Sequence, residues 1–281
     1  MKPWHIWVSV AAVAGFGFLL SRSWLAQMAM PVGDYYFNGG AYDLGWAERV
    51  YGAALALDPR VPLAHYQRAR IHFLRGNFYS ALREINGELD IYPENLRSLY
   101  VRGLIYGYMS ELTRAREDFK RFIEWAPAEW AGYNDLAWIQ VKLGKFQEGK
   151  ETITRAFAVM PGERNRNPWL WTSLGVTHLN LGEYTRASEA FLTALRMTER
   201  MSAQYFWSAY PGNDPRGAEE AFRQFRATLN FNLGIAHEKL GEFGKAKEAY
   251  HTYISLLPKG SFPQRAEVEE KIFKLNARDR E

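Results

Sequence analysis

Four prolines, Pro59, Pro93, Pro127 and Pro161, follow one another at intervals of 34 residues. A fixed period of between about 20 and 50 residues is typical of repeat proteins, in which each unit buries one face against its neighbour. A proline after a helix stops it and separates it from the next unit, so each interval holds one repeat. The spacing therefore predicts a stack of helical units, and such stacks leave an extended concave surface that binds other proteins.

The composition supports a folded chain and removes several kinds of site. The 281 residues are 47% hydrophobic and 23% charged, which is too apolar for a disordered chain. The net charge of +4 is spread without a block of lysine or arginine, so we predict no nucleic-acid partner. The chain has no cysteine, which excludes disulfides, thiolate metal sites and a cysteine nucleophile.

Residues 4–20, WHIWVSVAAVAGFGFLL, form an apolar run near the N-terminus. As a helix this run would span about 26 Å, which is close to the thickness of a bilayer core. We therefore predict a transmembrane signal-anchor helix over residues 1–25. A cleaved signal peptide is one alternative, although the cleavage sites that would end at Ala26 or Ala29 are poor, and a buried core helix is another.

The charges on either side of this run predict its orientation. The α-amino group and Lys2 precede the run, whereas Arg22 and soon Asp34 follow it, so the balance of positive charge favours a cytoplasmic N-terminus. This predicts a single-pass protein of the inner (cytoplasmic) membrane whose repeat domain is periplasmic or otherwise extracytoplasmic. Ala11 and Gly15 form a small-xxx-small pair that is expected to pack against a neighbouring transmembrane helix.

Small and large residues recur at fixed places within the repeats. LGEYTRASEAF, which begins at Leu181, and LGEFGKAKEAY, which begins at Leu240, share their glycine, aromatic and alanine positions. From about Val32 to Pro258 the chain resembles the tetratricopeptide repeat family, whose units place small residues where two helices cross closely. The resemblance implies an all-α, right-handed superhelical solenoid of about six helix-turn-helix units. The first helix of unit 1, about Val32–Gly40, is expected to be degenerate.

The repeat pattern breaks twice. About four extra residues lie between Pro161 and Trp171, within a polar loop, and Glu199 stands where a proline is expected. An amphipathic segment after the last repeat predicts a helix that covers the final apolar face, as repeat arrays require. The predicted domains are the anchor at 1–25, units 1 to 5 at 26–199, an aromatic insert at 200–224, unit 6 at 225–258, and a capping helix and tail at 259–281.

The second break predicts an aromatic hairpin. The helix that contains Glu199 is expected to continue to about Ala209, and a second long helix to run from about Arg216 to Leu240, with a turn over Pro211–Pro215. The aromatic residues of this hairpin are predicted to contact a partner or a membrane surface. The alternative is that they fold back and fill the groove of the repeats. They are Tyr205, Phe206, Trp207 and Tyr210.

In the tetratricopeptide family, the first helices of the units line the concave groove. The resemblance implies a groove that is mostly aromatic and aliphatic here, with Arg70 as its only cation of the kind that clamps a carboxylate tail. Such a groove suits an apolar helix or an extended segment of a partner. The alternative is that these side chains pack against one another. The predicted groove residues are Tyr66, Arg70, Phe73, Tyr100, Leu104, Tyr108, Asn134, Trp138, Trp169, Val176 and Phe231.

The sequence holds no phosphate-binding loop, nucleophile-elbow or zinc-protease motif, so we predict that the chain is not an enzyme. His72, His178 and His237 share one repeat position and are separated by whole repeats, so we expect packing residues and neither a metal nor another cofactor. The predicted function is a membrane-anchored scaffold for protein–protein interaction that assembles or stabilises an envelope membrane complex. The alternatives are a permanent structural or accessory subunit of a respiratory, photosynthetic or secretory complex and, less favoured, a glycan-associated binder.

Overall fold

The structure, a computed structural model, describes residues 21–39, 42–208, 217–258 and 260–278. Within these ranges the chain forms fourteen α-helices, a π-helix (Tyr35–Gly39), a 3-10 helix (Pro161–Asn165) and no strand, which confirms the all-α prediction. The α-helices are α1 (residues 21–34), α2 (Leu44–Leu57), α3 (Ala64–Leu74), α4 (Phe78–Ile91), α5 (Leu96–Tyr108), α6 (Leu112–Trp125), α7 (Trp130–Lys142), α8 (Phe146–Val159), α9 (Pro168–Asn180), α10 (Tyr184–Thr198), α11 (Ala203–Ser208), α12 (Ala218–Lys239), α13 (Phe243–Leu256) and α14 (Phe262–Arg278).

The helices belong to two compact units, Met1–Ser110 and Glu111–Glu281. In the N-terminal unit, α3 packs against α2 and α4, and α5 packs against α4. In the C-terminal unit, consecutive helices from α6 to α10 pack against each other, and α12 packs against α10, α11 and α13. Each unit is therefore built from helices that mainly contact their neighbours in sequence, which is the packing expected of a repeat protein.

Tight glycine turns join the two helices of the regular hairpins. Gly76, Gly144, Gly182 and Gly241 all have φ between 73° and 75°, a left-handed conformation that a side chain would strain. In each turn the next residue donates its N–H to the carbonyl oxygen five residues before it, as in Glu183 to His178. This is the hydrogen bond of a Schellman cap, which satisfies a carbonyl at the helix end. The repeated glycines therefore mark where the first helices end.

A glycine of the first helix also lets an aromatic ring of the second helix come close. A methyl group added at Gly175 would lie 2.5 Å from Cε1 of Phe191, and one added at Gly234 would lie 2.5 Å from Cε1 of Tyr250. Both rings are fully buried. Because no side chain fits between glycine and ring, these contacts determine the distance between the two helices.

The first hairpin follows the same plan, and its first helix begins earlier in the chain than the expected range of about Val32–Gly40. The helix is already present at residue 21, continues to residue 34 and ends in the π-helix. Gly33 lies against the ring of Tyr51 as Gly234 lies against Tyr250, with 2.4 Å between an added methyl group and Cε1. Ala26 is fully buried against Ala54 and its neighbours, so α1 packs along its length and the boundary drawn between residues 25 and 26 falls inside it.

At the second break in the repeats, the structure contains one of the two long helices of the predicted hairpin. The long second helix exists as α12, but the first does not continue to about Ala209, because α10 ends at Thr198. Thr198 is buried and its hydroxyl donates to the carbonyl of Leu195, and Ser202 accepts a hydrogen bond from the N–H of Tyr205. The Ser202 hydroxyl therefore caps the start of α11, which is a separate short helix.

The two ends of the chain differ in what the structure describes. At the C-terminal end, Val268, Ile272 and Leu275 of α14 are buried against α13, where the sequence predicts a capping helix. Among the helices that the structure describes, none combines the length and hydropathy that crossing a membrane requires. Residues 4–20, which carry the predicted anchor and its Ala11–Gly15 pair, lie outside the described ranges.

Candidate functional site

A row of stacked aromatic rings runs through the C-terminal unit. Trp130 stacks on Trp169 with 5.0 Å between ring centroids, and Trp169 stacks on Phe206 at 5.1 Å, both within about 25° of parallel. Phe206 then contacts Phe222 and Phe225 of α12 at 5.2 and 5.1 Å. We call these five residues the aromatic row. Offset stacking adds about 0.5–1.5 kcal/mol per pair to the burial of the rings.

The aromatic row contains one predicted groove residue, Trp169, and one predicted insert residue, Phe206. Trp169 and Phe206 each expose only 8% of their surface. Both were predicted to contact a partner, and in this structure both are buried and stack on each other. The cause is the short helix α11, which brings Phe206 back onto the start of α9.

The other insert residues are described only in part. Tyr205 exposes 55% of its surface. The side chain of Trp207 and the whole of Tyr210 lie outside the described part of the chain. Of the four predicted insert contacts, the structure therefore leaves Tyr205 on the surface and removes Phe206 from it.

The remaining predicted groove residues of the C-terminal unit are held by packing and hydrogen bonds. Asn134 is buried, donates to Asp135 Oδ1 at 3.0 Å and accepts from the hydroxyl of Ser173 at 2.7 Å. Trp138 is half-buried and has the ammonium of Lys142 4.8 Å from its ring centroid. Two further predicted residues are partly buried in apolar clusters, namely Val176 and Phe231.

In the N-terminal unit most of the predicted groove residues are covered as well. Tyr66 and Tyr100 are buried. The guanidinium of Arg70 lies 4.5 Å from the ring centroid of Phe37 and 5.6 Å from that of Tyr66, and it donates a hydrogen bond to Gln67. Arg70 is therefore engaged within the unit, by cation–π contacts and a hydrogen bond. Leu104 is half-buried.

Tyr108 is the exception among these residues, since 59% of its surface is exposed. Its ring stacks on Phe78 at 5.7 Å and meets Phe73 edge-on at 5.2 Å. Phe73 and Phe78 are half-buried, so the three rings present an aromatic surface with Tyr108 outermost. An exposed tyrosine on a packed aromatic base is the kind of residue that contributes strongly to protein–protein binding.

Helix α1, together with the first residue of the π-helix, carries an exposed apolar face that the sequence did not predict. Five large side chains expose between 47% and 60% of their surfaces, and their spacing places them within an arc of about 100° on the helix. We call them the α1 stripe. Apolar patches of this kind mark protein or membrane contacts. The predicted anchor ended at residue 25, so two of these residues were assigned to the anchor and three to the repeats. Three of the five are spaced four residues apart, and this helical spacing was the signal in the sequence for the exposed face. They are Trp24, Leu25, Met28, Val32 and Tyr35.

Two of the histidines that share one repeat position, His178 and His237, make hydrogen bonds in addition to packing contacts. His178 Nδ1 lies 2.5 Å from a carboxylate oxygen of Glu183, and His237 Nδ1 lies 2.5 Å from Glu242, each pair spanning a glycine turn. Burial lowers the pKa of His178, and the Lys150 ammonium holds the pKa of Glu183 at about 2. These pairs stabilise turns. Over the described ranges, no group of three or more potential ligands is placed to hold a metal ion.

Comparison with known families agrees with this geometry. Sequence models described as tetratricopeptide repeat match residues 33–95, and again 96–129, 170–200 and 227–259, which together are more than half of the chain. The chain belongs to the tetratricopeptide repeat family. A TPR repeat-containing protein of Methanocaldococcus jannaschii is 28% identical over 158 residues, which are 56% of this chain and 27% of that protein. The chain thus spans about a quarter of the length of this relative.

Solved structures show the same fold at low identity. The type IV pilus biogenesis factor PilW has a TM-score of 0.65 at 17% identity, over 88% of this chain and 98% of that one. Cut9–Hcn1, a hetero-tetramer of the APC/C, has a TM-score of 0.65 at 14% identity, over 89% and 42%. MamA has a TM-score of 0.52 at 19% identity, over 60% and 95%. These likenesses extend to the tetratricopeptide fold alone.

The tetratricopeptide fold and the side chains together define what the surfaces can do. Surfaces that offer apolar or aromatic contact include the α1 stripe, the rings around Tyr108 and the half-buried Trp138. None of them brings together a nucleophile, a base and an electrophilic group, which chemistry on a substrate would require. They are suited to recognition of another macromolecule.

Proposed function

We propose that this chain is a membrane-anchored scaffold that binds a membrane-associated protein and helps to assemble or stabilise an envelope membrane complex. The observation that carries the proposal is the α1 stripe. Its five exposed apolar side chains begin four residues after the apolar run 4–20, so the exposed face continues a segment whose length and composition suit a bilayer. Tryptophan and tyrosine in the stripe are the residues favoured at the membrane–water interface.

The partner in this proposal is held through aromatic residues of the repeats. Tyr108, on its base of Phe73 and Phe78, and Trp138 are predicted groove residues that keep exposed or half-exposed aromatic surface. Their chemistry fits an apolar helix or an extended segment with apolar side chains. The membrane anchor would raise the local concentration of these surfaces near other membrane proteins. The charge balance around residues 4–20 supports a repeat domain on the periplasmic or extracytoplasmic side.

A permanent structural subunit is the second candidate. The aromatic row supports it, because Trp169 and Phe206 are already packed inside the chain and are no longer available for an exchangeable ligand. The α1 stripe, with its five exposed apolar side chains, is also the kind of face that a permanent subunit keeps covered. The two candidates differ in lifetime: a scaffold releases its partner, whereas a subunit retains it.

Photo-crosslinking in native membranes tests the proposal. A photoreactive residue at Tyr108 or Trp138 is expected to give protein adducts, and one at Val32 is expected to give lipid or protein adducts. The control position is Arg83, an exposed residue of α4 outside these surfaces, which is expected to give few. Absence of adducts at both Tyr108 and Trp138 would contradict partner binding by the repeats.

The same preparation separates the two candidate functions. Purification in mild detergent at low and high salt measures the amount of each crosslinked partner that remains bound. Loss of the partner at high salt indicates an exchanging scaffold. Retention at fixed stoichiometry indicates a permanent subunit. Extraction of the chain from membranes by alkaline carbonate would contradict the membrane anchor in either case.

A further inference from the structure

A cleft of about 700 Å³ lies in the C-terminal unit, between the 3-10 helix Pro161–Asn165, the end of α10 and the start of α11. Three arginines line it, Arg166, Arg196 and Arg200, and Glu199 is the one acidic residue among the lining residues that the structure describes. Its apolar lining comes from three larger side chains, which are Met197, Met201 and Tyr205. None of these residues belongs to the predicted groove.

Both breaks in the repeat pattern contribute to this cleft. The extra residues after Pro161 supply Asn165 and Arg166, and the break after Thr198 supplies the lining residues from Glu199 to Tyr205. A unit with the regular spacing has neither segment. The two departures are almost forty residues apart in sequence, and the fold brings them to the same place. The cleft is therefore a feature added to the tetratricopeptide architecture.

Hydrogen bonds hold the lining in position. Glu163 is buried and accepts from Asn167 Nδ2 at 2.8 Å and from Arg166 Nε at 2.7 Å, which fixes the loop. On the other side, the Ser202 hydroxyl accepts from the N–H of Tyr205 at 3.1 Å and caps α11. The walls therefore exist before any ligand binds, which lowers the entropy that binding has to overcome.

The charges of the lining favour an anionic ligand. Glu163 already engages Arg166, so part of that charge is compensated. Arg196, near the end of α10, and Arg200, just after it, are exposed, and Arg196 donates a hydrogen bond to the hydroxyl of Thr193 at 3.0 Å. A guanidinium has five N–H donors in a planar fork that matches a carboxylate. The two methionines beside them provide an adaptable apolar surface.

We propose that this cleft binds an acidic segment of a partner protein, with carboxylates on Arg196 and Arg200 and an apolar side chain against Met197, Met201 and Tyr205. The proposal rests on the proposed function only in taking a protein as the ligand. It involves second-helix and loop residues, whereas the groove is formed by first helices. The cleft and the groove are separate surfaces, so the chain could bind one partner at both or a different partner at each.

Fluorescence anisotropy with a defined peptide tests the cleft. The probe is a fluorescein-labelled, C-terminally amidated peptide Asp-Glu-Leu-Glu-Asp-Phe, and its neutral counterpart has Asn and Gln in place of Asp and Glu. The full chain in detergent is expected to bind the acidic probe and to bind it more weakly as NaCl rises from about 50 mM to about 500 mM. The double variant Arg196→Gln, Arg200→Gln is expected to bind about a hundredfold more weakly, or about tenfold per arginine.

The matched control is the double variant Arg83→Gln, Arg97→Gln, which removes the same charge from exposed positions of α4 and α5. It is expected to bind the probe as the unmodified chain does. Equal weakening in both double variants would mean that only net charge matters, and would overturn the proposal. Undiminished binding by the cleft variant, or equally tight binding of the neutral peptide, would also overturn it.

Other occupants of the cleft give distinct results. Binding that appears only after Asp214→Asn would mean that the chain's own residues 209–216 fill the cleft, which contradicts a partner ligand. A single-stranded oligothymidylate of the same charge that binds as tightly as the peptide would indicate a phosphate site instead. Crosslinks at Tyr108 and Trp138 are expected to persist in the cleft variant. If the unmodified chain gives these crosslinks but does not bind the peptide, the cleft proposal is wrong and the proposed function stands. If it binds the peptide but gives no crosslinks, partner binding by the groove is wrong and the cleft proposal stands.

Discussion

In both the first hairpin, α1–α2, and the hairpin α12–α13, a tyrosine ring of the second helix covers a glycine of the first. The pairs are Gly33 with Tyr51 and Gly234 with Tyr250. Each tyrosine hydroxyl also donates to a carboxylate of the first helix, Tyr51 to Asp34 at 2.6 Å and Tyr250 to Glu238 at 2.8 Å. The sequences of the two hairpins differ, but the same glycine–tyrosine contact joins the two helices of each.

The turns of the two hairpins are built differently. The last hairpin turns at Gly241, with φ of 75°, and the next residue, Glu242, bonds to His237. The first hairpin leaves α1 through the π-helix Tyr35–Gly39 and enters α2 at Asp43, whose carboxylate accepts from two N–H groups of the first turn. The glycine and the ring are 18 residues apart in the first hairpin and 16 in the last. The contact between the helices is therefore retained while the turn varies.

The largest expected effect tests whether the two hairpins share their packing. Gly33→Ala and Gly234→Ala each place a methyl group about 2.4–2.5 Å from a buried ring carbon, so we expect each to lower the free energy of unfolding by about 3 kcal/mol or more, the upper end of the range for overpacking. Urea titration followed by circular dichroism measures the change. The control is Gly52→Ala in α2, where an added methyl group meets nothing within 4 Å, and which should stabilise by about 0.5–1 kcal/mol. If Gly33→Ala leaves the free energy of unfolding unchanged, the first hairpin does not share the packing of the hairpin α12–α13.

The next effect concerns the tyrosine hydroxyls. Burial, followed by the nearby carboxylate, raises the pKa of Tyr51 and of Tyr250 far above the usual value of 10. A hydrogen bond to a charged group contributes about 1.5–3 kcal/mol, so Tyr51→Phe and Tyr250→Phe should each destabilise the chain by about that amount.

The same hydroxyls predict an alkaline limit of stability. Because the folded-state pKa is raised, the stability that each tyrosine contributes is complete below about pH 10 and is lost as the pH rises above it. Unfolding measured from neutral to alkaline pH should show a steeper loss for the unmodified chain than for the double phenylalanine variant. Parallel pH profiles of the two chains would contradict the assignment.

A smaller effect distinguishes the turns. Ser110 lies 34 residues after Gly76 and 34 residues before Gly144, so it occupies the same position of its repeat. Its φ is 63°, so a serine there adopts the left-handed conformation that glycine adopts in the other turns. We expect Ser110→Gly to stabilise the chain by about 1 kcal/mol and Gly144→Ser to destabilise it by about as much. Thermal unfolding of the two variants and of the double swap gives the comparison. Shifts of the same sign in both single variants would show that φ does not control these turns.

The smallest expected effect concerns the carboxylates at the glycine turns. Glu183 binds Lys150 and His178, and its pKa is lowered to about 2, first through the Lys150 hydrogen bond. Because the folded-state pKa is lowered, its contribution is present above about pH 4.5 and is lost as the pH falls toward about 2. Glu183→Gln should therefore be slightly less stable than the unmodified chain at neutral pH, and the difference should vanish in acid. Glu242→Gln should show a smaller difference, because the bonds of Glu242 go to His237 and Lys245 of its own hairpin.

The sequence predicted the parts of this molecule that depend on local pattern. Gly182 and Gly241 identified the turns, α12 was expected at nearly its observed bounds, and the segment that forms α14 was recognised by its amphipathic spacing. The length of α1 was not predicted, because the equivalence of Gly33 to Gly234 becomes visible only when Tyr51 lies over it. The fate of Phe206 was left open for the same reason, since its partner Trp169 is distant in sequence.

The sequence by itself determined that this chain is a helical repeat protein of the tetratricopeptide family, because helix ends, turns and repeat length follow from residues a few positions apart. Only the tertiary structure decided which aromatic residues are buried, because Trp169 and Phe206 could equally have faced a partner. It also decided that the two breaks in the repeat meet at one arginine-lined cleft. Such outcomes depend on contacts between distant segments, which the spacing of prolines and glycines does not specify.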